Sequence, residues 1–328
     1  MILLALACTG DAVDDTSVVT GPDSDCREQA PNQVVVSKPF DGAQTDWAVG
    51  SLDDLDQTMT LGRVFAGEVA WTPDGQVGAV ALEDGTLGLW DRADVLTVLD
   101  GEWYASRVVA DPSGRSFWIV DGNWPNNGGG LFRLDVDCDN RLGTAERVLT
   151  TKLATDLVFT ERGPVLLATE VEGTTGDVHQ LDADMSLVSS HIAFGYEGSS
   201  PSDAEVGPDG SVWVTDISLW GDEVNRVVAL EPDLSVRFEL EVRDPLDLVV
   251  GDRAVVLSGY EDEVLLVSLS GEVLSTAPSA LPTSVVLHEG GVLVAENEAL
   301  RLLSLDDLSE QARVSPAFTP GTVGSSPR

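Results

Sequence analysis

The sequence predicts an all-β protein, a seven-bladed β-propeller in which each blade is a sheet of four antiparallel strands. Three observations lead to this prediction. A unit of about 40 residues recurs along the chain, each unit holds several short runs rich in Val, Leu and aromatic residues, and Asp, Gly and Pro bound these runs. Four such strands per unit is typical of a propeller blade, and no stretch of the sequence shows a sustained helical period.

Each of six units begins with a polar residue and an apolar triplet, which predicts the inner strand a of a blade. In five units a turn closes on a glycine seven residues after the polar residue, and the unit at Asp247 lacks this glycine. The apolar run after the turn predicts strand b, and two further runs predict strands c and d. The six polar residues are Glu68, Arg107, Asp156, Asp203, Asp247 and Ser284.

An incomplete unit over residues 32–62 is interpreted as strands b, c and d of one more blade. Residues 314–318 are the candidate for its missing inner strand, because closing the ring removes exposed sheet edges. Six blades with an N-terminal extension is the alternative. The predicted propeller covers residues 32–318, and residues 319–328 are expected to form a disordered tail.

The charge balance excludes some classes of partner. The 328 residues include 18 Lys and Arg against 56 Asp and Glu, which gives a formal net charge of −38. Recognition of phosphate groups needs clustered basic residues, so nucleic acid and anionic membrane surfaces are not expected partners. The hydrophobic share of 43% is enough for a globular core.

The first residues suggest a cellular location. The apolar run at residues 1–7 is too short to span a bilayer. Ala5-Leu6-Ala7-Cys8 resembles a bacterial lipobox, which implies a short signal peptide over residues 1–8 and acylation of Cys8. Residues 9–31 are acidic and aperiodic, as expected of a flexible tether. The prediction is an extracytoplasmic protein, lipid-anchored to the cell envelope or secreted; a misassigned start codon or an ordinary terminus is the alternative.

The other two cysteines form an even pair. In an oxidising compartment Cys26 and Cys138 could form a disulfide that joins the tether to the propeller. Two unrelated thiols remain the alternative, because connectivity cannot be deduced from sequence.

Several short motifs are similar to known propeller repeats. The TPDG and GPDG turns that end at Gly75 and Gly210 resemble YVTN/NHL-type repeats of bacterial secreted proteins, and the DGTLGLWD run ending at Asp91 resembles a strand of a WD-repeat blade. The resemblance covers residues 32–315. It implies the fold and says little about function, since propellers include enzymes, scaffolds and ligand binders.

The aligned polar residues are the first candidate site. In a propeller the starts of the inner strands line the mouth of the central channel, so Glu68, Asp156, Asp203 and Asp247 would converge there and repel one another unless a cation or Arg107 offsets them. A metal ion or cationic partner is one interpretation, and capping of backbone amides is the other. Gluconolactonase-like relatives of this repeat class hold a divalent metal in the channel, which implies a lactonase-like, metal-dependent hydrolase as an alternative function.

A second candidate is a calcium loop. Asp135, Asp137, Asp139 and Glu146 match the spacing of EF-hand calcium ligands, with Asn140 where that motif has glycine. Ca²⁺ is therefore the one cofactor that the sequence suggests. The alternative is that Asp is simply a turn former, as in the other turns between strands c and d.

A third candidate is a binding face on the loops between strands b and c. The side chains proposed for it combine aromatic, amide and acidic groups, which suit a protein, peptide or glycan. No nucleophile–base pair is recognisable, and a monomeric, non-enzymatic binding platform is the leading functional prediction. The residues of this face are Asp121, Asn123, Trp124, Asp216, Trp220 and Asp222.

Overall fold

A computed structural model describes the protein over most of the predicted propeller, in places by its backbone alone. The described residues are 34–37, 46–52, 54–60, 65–82, 84–91, 94–122, 129–137, 139–151, 153–169, 176–193, 199–218, 225–259, 261–316, 320–321 and 323–325. In these ranges there is no helix long and apolar enough to cross a membrane.

The secondary structure is a succession of short strands. The first three are β1 (Val34–Ser37), β2 (Asp46–Ser51) and β3 (Asp54–Thr60). Blade 1 contains β4 (Phe65–Trp71), β5 (Val77–Leu82), β6 (Leu87–Asp91) and β7 (Asp94–Leu99). Blade 2 contains β8 (Ala105–Ala110), β9 (Ser116–Asp121), β10 (Gly129–Asp135) and β11 (Glu146–Thr151). Blade 3 contains β12 (Leu153–Thr160), β13 (Gly163–Thr169), β14 (Gly176–Leu181) and β15 (Leu187–Ala193).

The second half of the chain continues the pattern. Blade 4 contains β16 (Ser199–Val206), β17 (Val212–Ser218), β18 (Arg226–Leu230) and β19 (Val236–Glu241). Blade 5 contains β20 (Pro245–Val250), β21 (Ala254–Ser258), β22 (Glu263–Val267) and β23 (Val273–Pro278). Blade 6 contains β24 (Ser284–His288), β25 (Gly291–Glu296), β26 (Ala299–Ser304) and β27 (Glu310–Val314), and the last strand is β28 (Val323–Ser325).

The strands form four-stranded antiparallel sheets arranged as a propeller. Six sheets are continuous in sequence, one for each repeat unit, with the first strand of each unit innermost. A further sheet, the composite sheet, has the order β28-β1-β2-β3 and therefore joins the two ends of the described chain. The innermost strands contact one another in a closed circuit through β4, β8, β12, β16, β20, β24 and β28, and β28 contacts β4 again.

The composite sheet confirms one expectation and corrects another. Residues 32–62 do supply three strands of a further sheet, but its inner strand is Val323–Ser325, whereas residues 314–318 were predicted. Val314 instead ends β27, the outer strand of blade 6. The chain therefore leaves β27 on the outside of the ring and is next paired at its axis, where β28 pairs with β1. The expectation of a disordered tail over residues 319–328 is therefore wrong at 323–325.

The burial pattern explains why the strand b runs are continuously apolar. β5, β9 and β25 are buried at every position, because a neighbouring blade packs on each face of the sheet. The outer strands β11 and β19 are mostly exposed or half-buried. Buried apolar clusters fill the spaces between neighbouring blades, as with Val255, Leu266 and Val294 between blades 5 and 6. Each fully buried Val or Leu of such a cluster contributes about 1.5–3 kcal/mol.

Candidate functional site

The aligned polar residues occupy equivalent places on successive inner strands. In blades 2 to 5 the pairing of strand a with strand b shifts register just before the aligned residue, at Arg107, Asp156, Asp203 and Asp247. A β-bulge of this kind bends the strand and changes the direction of a side chain. In blade 6 the pairing of β24 with β25 begins at the aligned Ser284, and the amide of Thr283 just before it also donates to the carbonyl of Ala295, the residue opposite Ser284.

Three of the aligned carboxylates accept a hydrogen bond from the next blade. Asp156 Oδ2 accepts from the amide of Ala204 at 2.8 Å. In the same way Asp203 Oδ2 accepts from Leu248 at 3.3 Å, and Asp247 Oδ2 accepts from Val285 at 2.8 Å. Each of these carboxylates therefore links its own inner strand to the inner strand of the next blade. The amide that donates belongs to the residue just after the aligned residue of that next blade.

Arg107 supplies the positive charge that the acidic residues need. Its Nε lies 3.0 Å from Asp156 Oδ1 and its Nη2 lies 2.7 Å from Asp203 Oδ1, so one guanidinium serves two neighbouring blades. Burial raises the pKa of Asp156 to about 7; Arg107 opposes this shift and Asp203 adds to it. The geometry favours the interpretation that these residues cap amides and balance charge within the ring. Glu68 lies on β4, and its side chain is outside the described residues.

A second set of bonds between blades was missed in the sequence. The Oγ of Ser106 donates to the carbonyl of Ala154 at 3.2 Å, and the Oγ1 of Thr155 donates to the carbonyl of Pro201 at 2.8 Å. Both hydroxyls belong to the residue just before an aligned residue. The sequence did contain a pattern that could have predicted these bonds, a Ser or Thr just before the aligned residue. This pattern is present at residues 106, 155, 202 and 283.

The predicted calcium residues lie on the turn after β10, where Asp137 acts as a turn former. Its Oδ1 accepts from the amides of Asp139 at 2.9 Å and Arg141 at 2.8 Å. Asn140 has a φ of 61°, the left-handed conformation that the glycine of the calcium motif would adopt. Blade 3 has the same arrangement, with Asp182 Oδ1 accepting from the amides of Asp184 and Ser186.

The other calcium candidates do not converge. Asp135 and Asp139 each form an exposed ion pair with an arginine. Asp135 Oδ1 lies 2.9 Å from Arg133 Nε, and Asp139 Oδ2 lies 3.0 Å from Arg141 Nη1. Glu146 begins β11. Within the described ranges no group of three or more His, Cys, Asp or Glu side chains could hold a metal ion. Calcium binding stays a prediction.

The structure places Asp121 and Asp216 inside the protein, which corrects their assignment to an exposed face. Asp121 is fully buried, accepts from the amide of Tyr104 at 2.9 Å, and lies 3.1 Å from Arg147. Asp216 is also fully buried and accepts from Arg226 at 3.0 and 3.1 Å. Burial raises the pKa of Asp216, and the hydrogen bonds that its carboxylate accepts from Ser199 and Arg226 oppose this shift.

Blade 6 repeats this arrangement at Glu296. Glu296 ends β25, is 3% exposed, and accepts from Ser279 Oγ at 2.8 Å and from Arg301 at 2.6 Å. In blades 2, 4 and 6 a buried carboxylate near the end of strand b therefore fixes the segment that leads into strand a and binds an arginine. In the sequence, these buried carboxylates could have been recognised as an acidic residue at the end of an apolar run.

The remaining candidates lie outside the described residues. These are Asn123, Trp124, Trp220, Asp222 and the three cysteines Cys8, Cys26 and Cys138.

Comparison with known proteins bears on the fold. No family model and no curated protein matches the sequence. Solved structures that are similar include a functionally unknown protein from Desulfotomaculum acetoxidans, with 16% identity, a TM-score of 0.63, and coverage of 91% of this chain and 99% of that chain. A protein from Lactobacillus plantarum has 12% identity and a TM-score of 0.66, with coverage of 90% and 99%. A catalytically inactive variant of virginiamycin B lyase from Staphylococcus aureus, with quinupristin, has 12% identity and a TM-score of 0.57, with coverage of 80% and 84%.

At these identities the matches show the fold alone. That fold is the β-propeller. Propellers serve both binding and enzymatic roles, so the choice between them depends on this chain's own residues.

Proposed function

We propose that the protein is a non-enzymatic binding platform, and that it recognises its partner through the loops between strands b and c. The observation that carries this proposal is a set of ion pairs beside these loops, in which the buried carboxylates of Asp121, Asp216 and Glu296 each pair with an arginine. Such pairs hold the points where the loops leave the ring. Binding then costs less ordering entropy than it would with unanchored loops.

The loops themselves carry suitable side chains. Residues 123–128 join β9 to β10, and residues 219–224 join β17 to β18, so both leave the ring on the same face. They contain Trp124 and Trp220, together with amide and acidic residues. Trp is enriched in binding hot spots, and a net charge of −38 favours a cationic partner. A basic segment of a protein or peptide is the partner that these features favour over a glycan.

The alternative function is a metal-dependent hydrolase at the channel mouth. It requires carboxylates that can turn toward a metal ion, yet Asp156, Asp203 and Asp247 each accept an amide hydrogen bond, and two of them also pair with Arg107. Breaking these bonds would unpair buried groups. This geometry supports the binding proposal over the hydrolase.

A matched set of variants tests the binding proposal. Trp124→Ala with Trp220→Ala should abolish saturable binding of the purified protein to envelope proteins of a bacterial host, measured by surface plasmon resonance. Leu274→Ala, on the exposed outer strand β23, is the control and should leave binding unchanged. Hydrolysis of lactones or esters that is lost in Asp203→Asn, together with stoichiometric metal in the wild type, would favour the hydrolase.

We also infer that the composite sheet completes the ring as a seventh blade. Contacts of β28 with β24 and β4 support this inference. Removal of residues 319–328 should lower the melting temperature by several degrees, whereas removal of residues 326–328 alone should not. Equal melting temperatures for the two truncations would instead favour six blades with an extension.

The proposed location is the bacterial cell envelope, through a lipid on Cys8. Metabolic labelling with a fatty acid in a Gram-negative host should mark the wild type and not Cys8→Ser. A Cys26–Cys138 disulfide would appear as the loss of two hydrogens in the intact mass, restored by reduction.

A further inference from the structure

Two of the chain's three histidines lie opposite each other on neighbouring strands. His179 is on β14 and His191 is on β15, the outer two strands of blade 3, and the register pairs them directly. They are 12 positions apart in the sequence, so only the folding of the blade brings them together. Residues opposite each other in an antiparallel pair have Cβ atoms about 4.5–5.5 Å apart on one face of the sheet. This separation is short enough for two imidazole rings to reach a single metal ion.

An acidic residue on β14 belongs to the same face. Asp177 is two residues before His179, and residues two apart on a strand lie on the same side of the sheet. The structure shows their proximity, because Asp177 Oδ2 lies 3.8 Å from His179 Nε2 and both side chains are half-buried. Among the described residues, no Lys or Arg forms an ion pair with Asp177. The carboxylate therefore adds a third candidate ligand to the two histidines.

The face that carries these residues is turned toward blade 2. Val178, the residue before His179, belongs to a buried cluster with Val228 of blade 4. Leu166 pairs with His179 from β13, and it belongs instead to a cluster with Leu131 of blade 2. The candidate ligands thus lie at the outer part of the boundary between blades 2 and 3. A partly apolar surrounding of this kind limits access of water to a bound ion.

We propose that His179, His191 and Asp177 bind a divalent transition metal ion such as Zn²⁺ between strands c and d of blade 3. Imidazole nitrogen suits Zn²⁺, Cu²⁺ and Ni²⁺, whereas Ca²⁺ and Mg²⁺ prefer oxygen ligands. Three protein ligands leave the fourth position of a tetrahedral Zn²⁺ open to water or to a ligand from outside. This site goes beyond the proposed platform function and does not depend on it.

The observed distance is close to the one that a bound ion requires. Metal–ligand bonds of about 2.0–2.2 Å place neighbouring ligand atoms of a tetrahedral Zn²⁺ about 3.4 Å apart. The 3.8 Å between His179 Nε2 and Asp177 Oδ2 can close to this value by a small rotation of either side chain. The register of β15 adds His191 to these two ligands. His179 also takes part in a further interaction, and the site needs only one of its two ring nitrogens.

A titration of the purified full chain with Zn²⁺ tests the proposal, and proton NMR follows the Hε1 signals of the three histidines. Two signals should shift and reach saturation at one equivalent of Zn²⁺. The third signal, from His288 on β24, should not shift. Ca²⁺ should shift none of them, because it prefers oxygen ligands. The variants His179→Ala, His191→Ala and His288→Ala assign the signals, and alkylation of the cysteine thiols beforehand removes their own affinity for Zn²⁺.

Isothermal titration calorimetry of the same variants measures what each ligand contributes. His179→Ala and His191→Ala should each weaken Zn²⁺ binding at least about tenfold, since loss of a residue that merely orients a ligand already costs about 10–100-fold. Asp177→Asn should weaken binding several-fold, whereas Asp184→Asn, on the exposed turn after β14, should not. Circular dichroism checks that each variant is folded. Histidine signals that do not respond to Zn²⁺, or an unchanged affinity in any of the three ligand variants, would overturn the proposal.

Discussion

The carboxylate of Asp247 accepts a hydrogen bond from the amide of Val285 at 2.8 Å and so links the inner strand of blade 5 to that of blade 6. The aligned residue of blade 6 is Ser284, and its buried hydroxyl has no hydrogen-bond partner among the described residues. The chain of carboxylate-to-amide bonds thus runs from blade 3 to blade 6, and Ser284 does not continue it.

Asp247→Ala should destabilise the protein by about 1–3 kcal/mol, because it leaves the buried amide of Val285 without its acceptor. Ser284→Ala is the matched control and should change stability little, since its hydroxyl makes no hydrogen bond to any described residue. Urea denaturation of both variants measures the difference. Equal losses would show that the carboxylate does not stabilise the junction between blades.

Arg226→Ala should lower the stability of the folded protein more than Arg243→Ala does. It removes the partner of the buried Asp216, and breaking a buried ion pair costs about 3–5 kcal/mol. Arg243 pairs with Glu261 on the exposed surface, so Arg243→Ala should cost at most about 1 kcal/mol. Thermal unfolding of the two variants distinguishes them, and a similar loss in both would contradict the role assigned to Asp216.

Asp156 should make stability decrease as pH rises. Its pKa is about 7 in the folded protein against the ordinary aspartate value of 3.8, so between these values the folded state binds more protons than the unfolded state. Stability relative to Asp156→Asn should fall by up to about 1.4 kcal/mol per pH unit over that window and level off above it. Denaturation of wild type and variant at a series of pH values measures this difference, and a flat difference would contradict the raised pKa.

Calcium should stabilise the wild type if the turn after β10 binds it. At about 100 times the Kd, binding to the native state alone adds roughly 2.7 kcal/mol. Asp137→Ala should abolish this gain, whereas Asp182→Ala, which alters the same kind of turn in blade 3, should retain it. A melting temperature that does not respond to a chelator would leave Asp137 as a turn former only.

The sequence predicted the repeated strands well, because strands buried on both faces need continuous apolar runs. β28 was missed because three residues are too few to form a pattern, and its partner β1 lies at the other end of the described chain. Residue spacing aligned Asp156, Asp203 and Asp247 correctly. Residue spacing could not show whether these carboxylates bind a ligand or the neighbouring strand, since the answer depends on distances between atoms of different blades. Asp121 and Asp216 were assigned to the surface because an acid beside a loop usually faces solvent.

The pairing of Val36 with Val323 has a consequence for how the protein is made. Each continuous blade pairs strands that are neighbours in sequence, so its sheet can form soon after it leaves the ribosome and pack on the blade before it. The composite sheet has no inner strand until β28 has been synthesised, so β1 must wait through the synthesis of all six blades. A nascent chain stalled before β28 would carry an unpaired strand edge on β1, and such edges recruit chaperones or neighbouring chains.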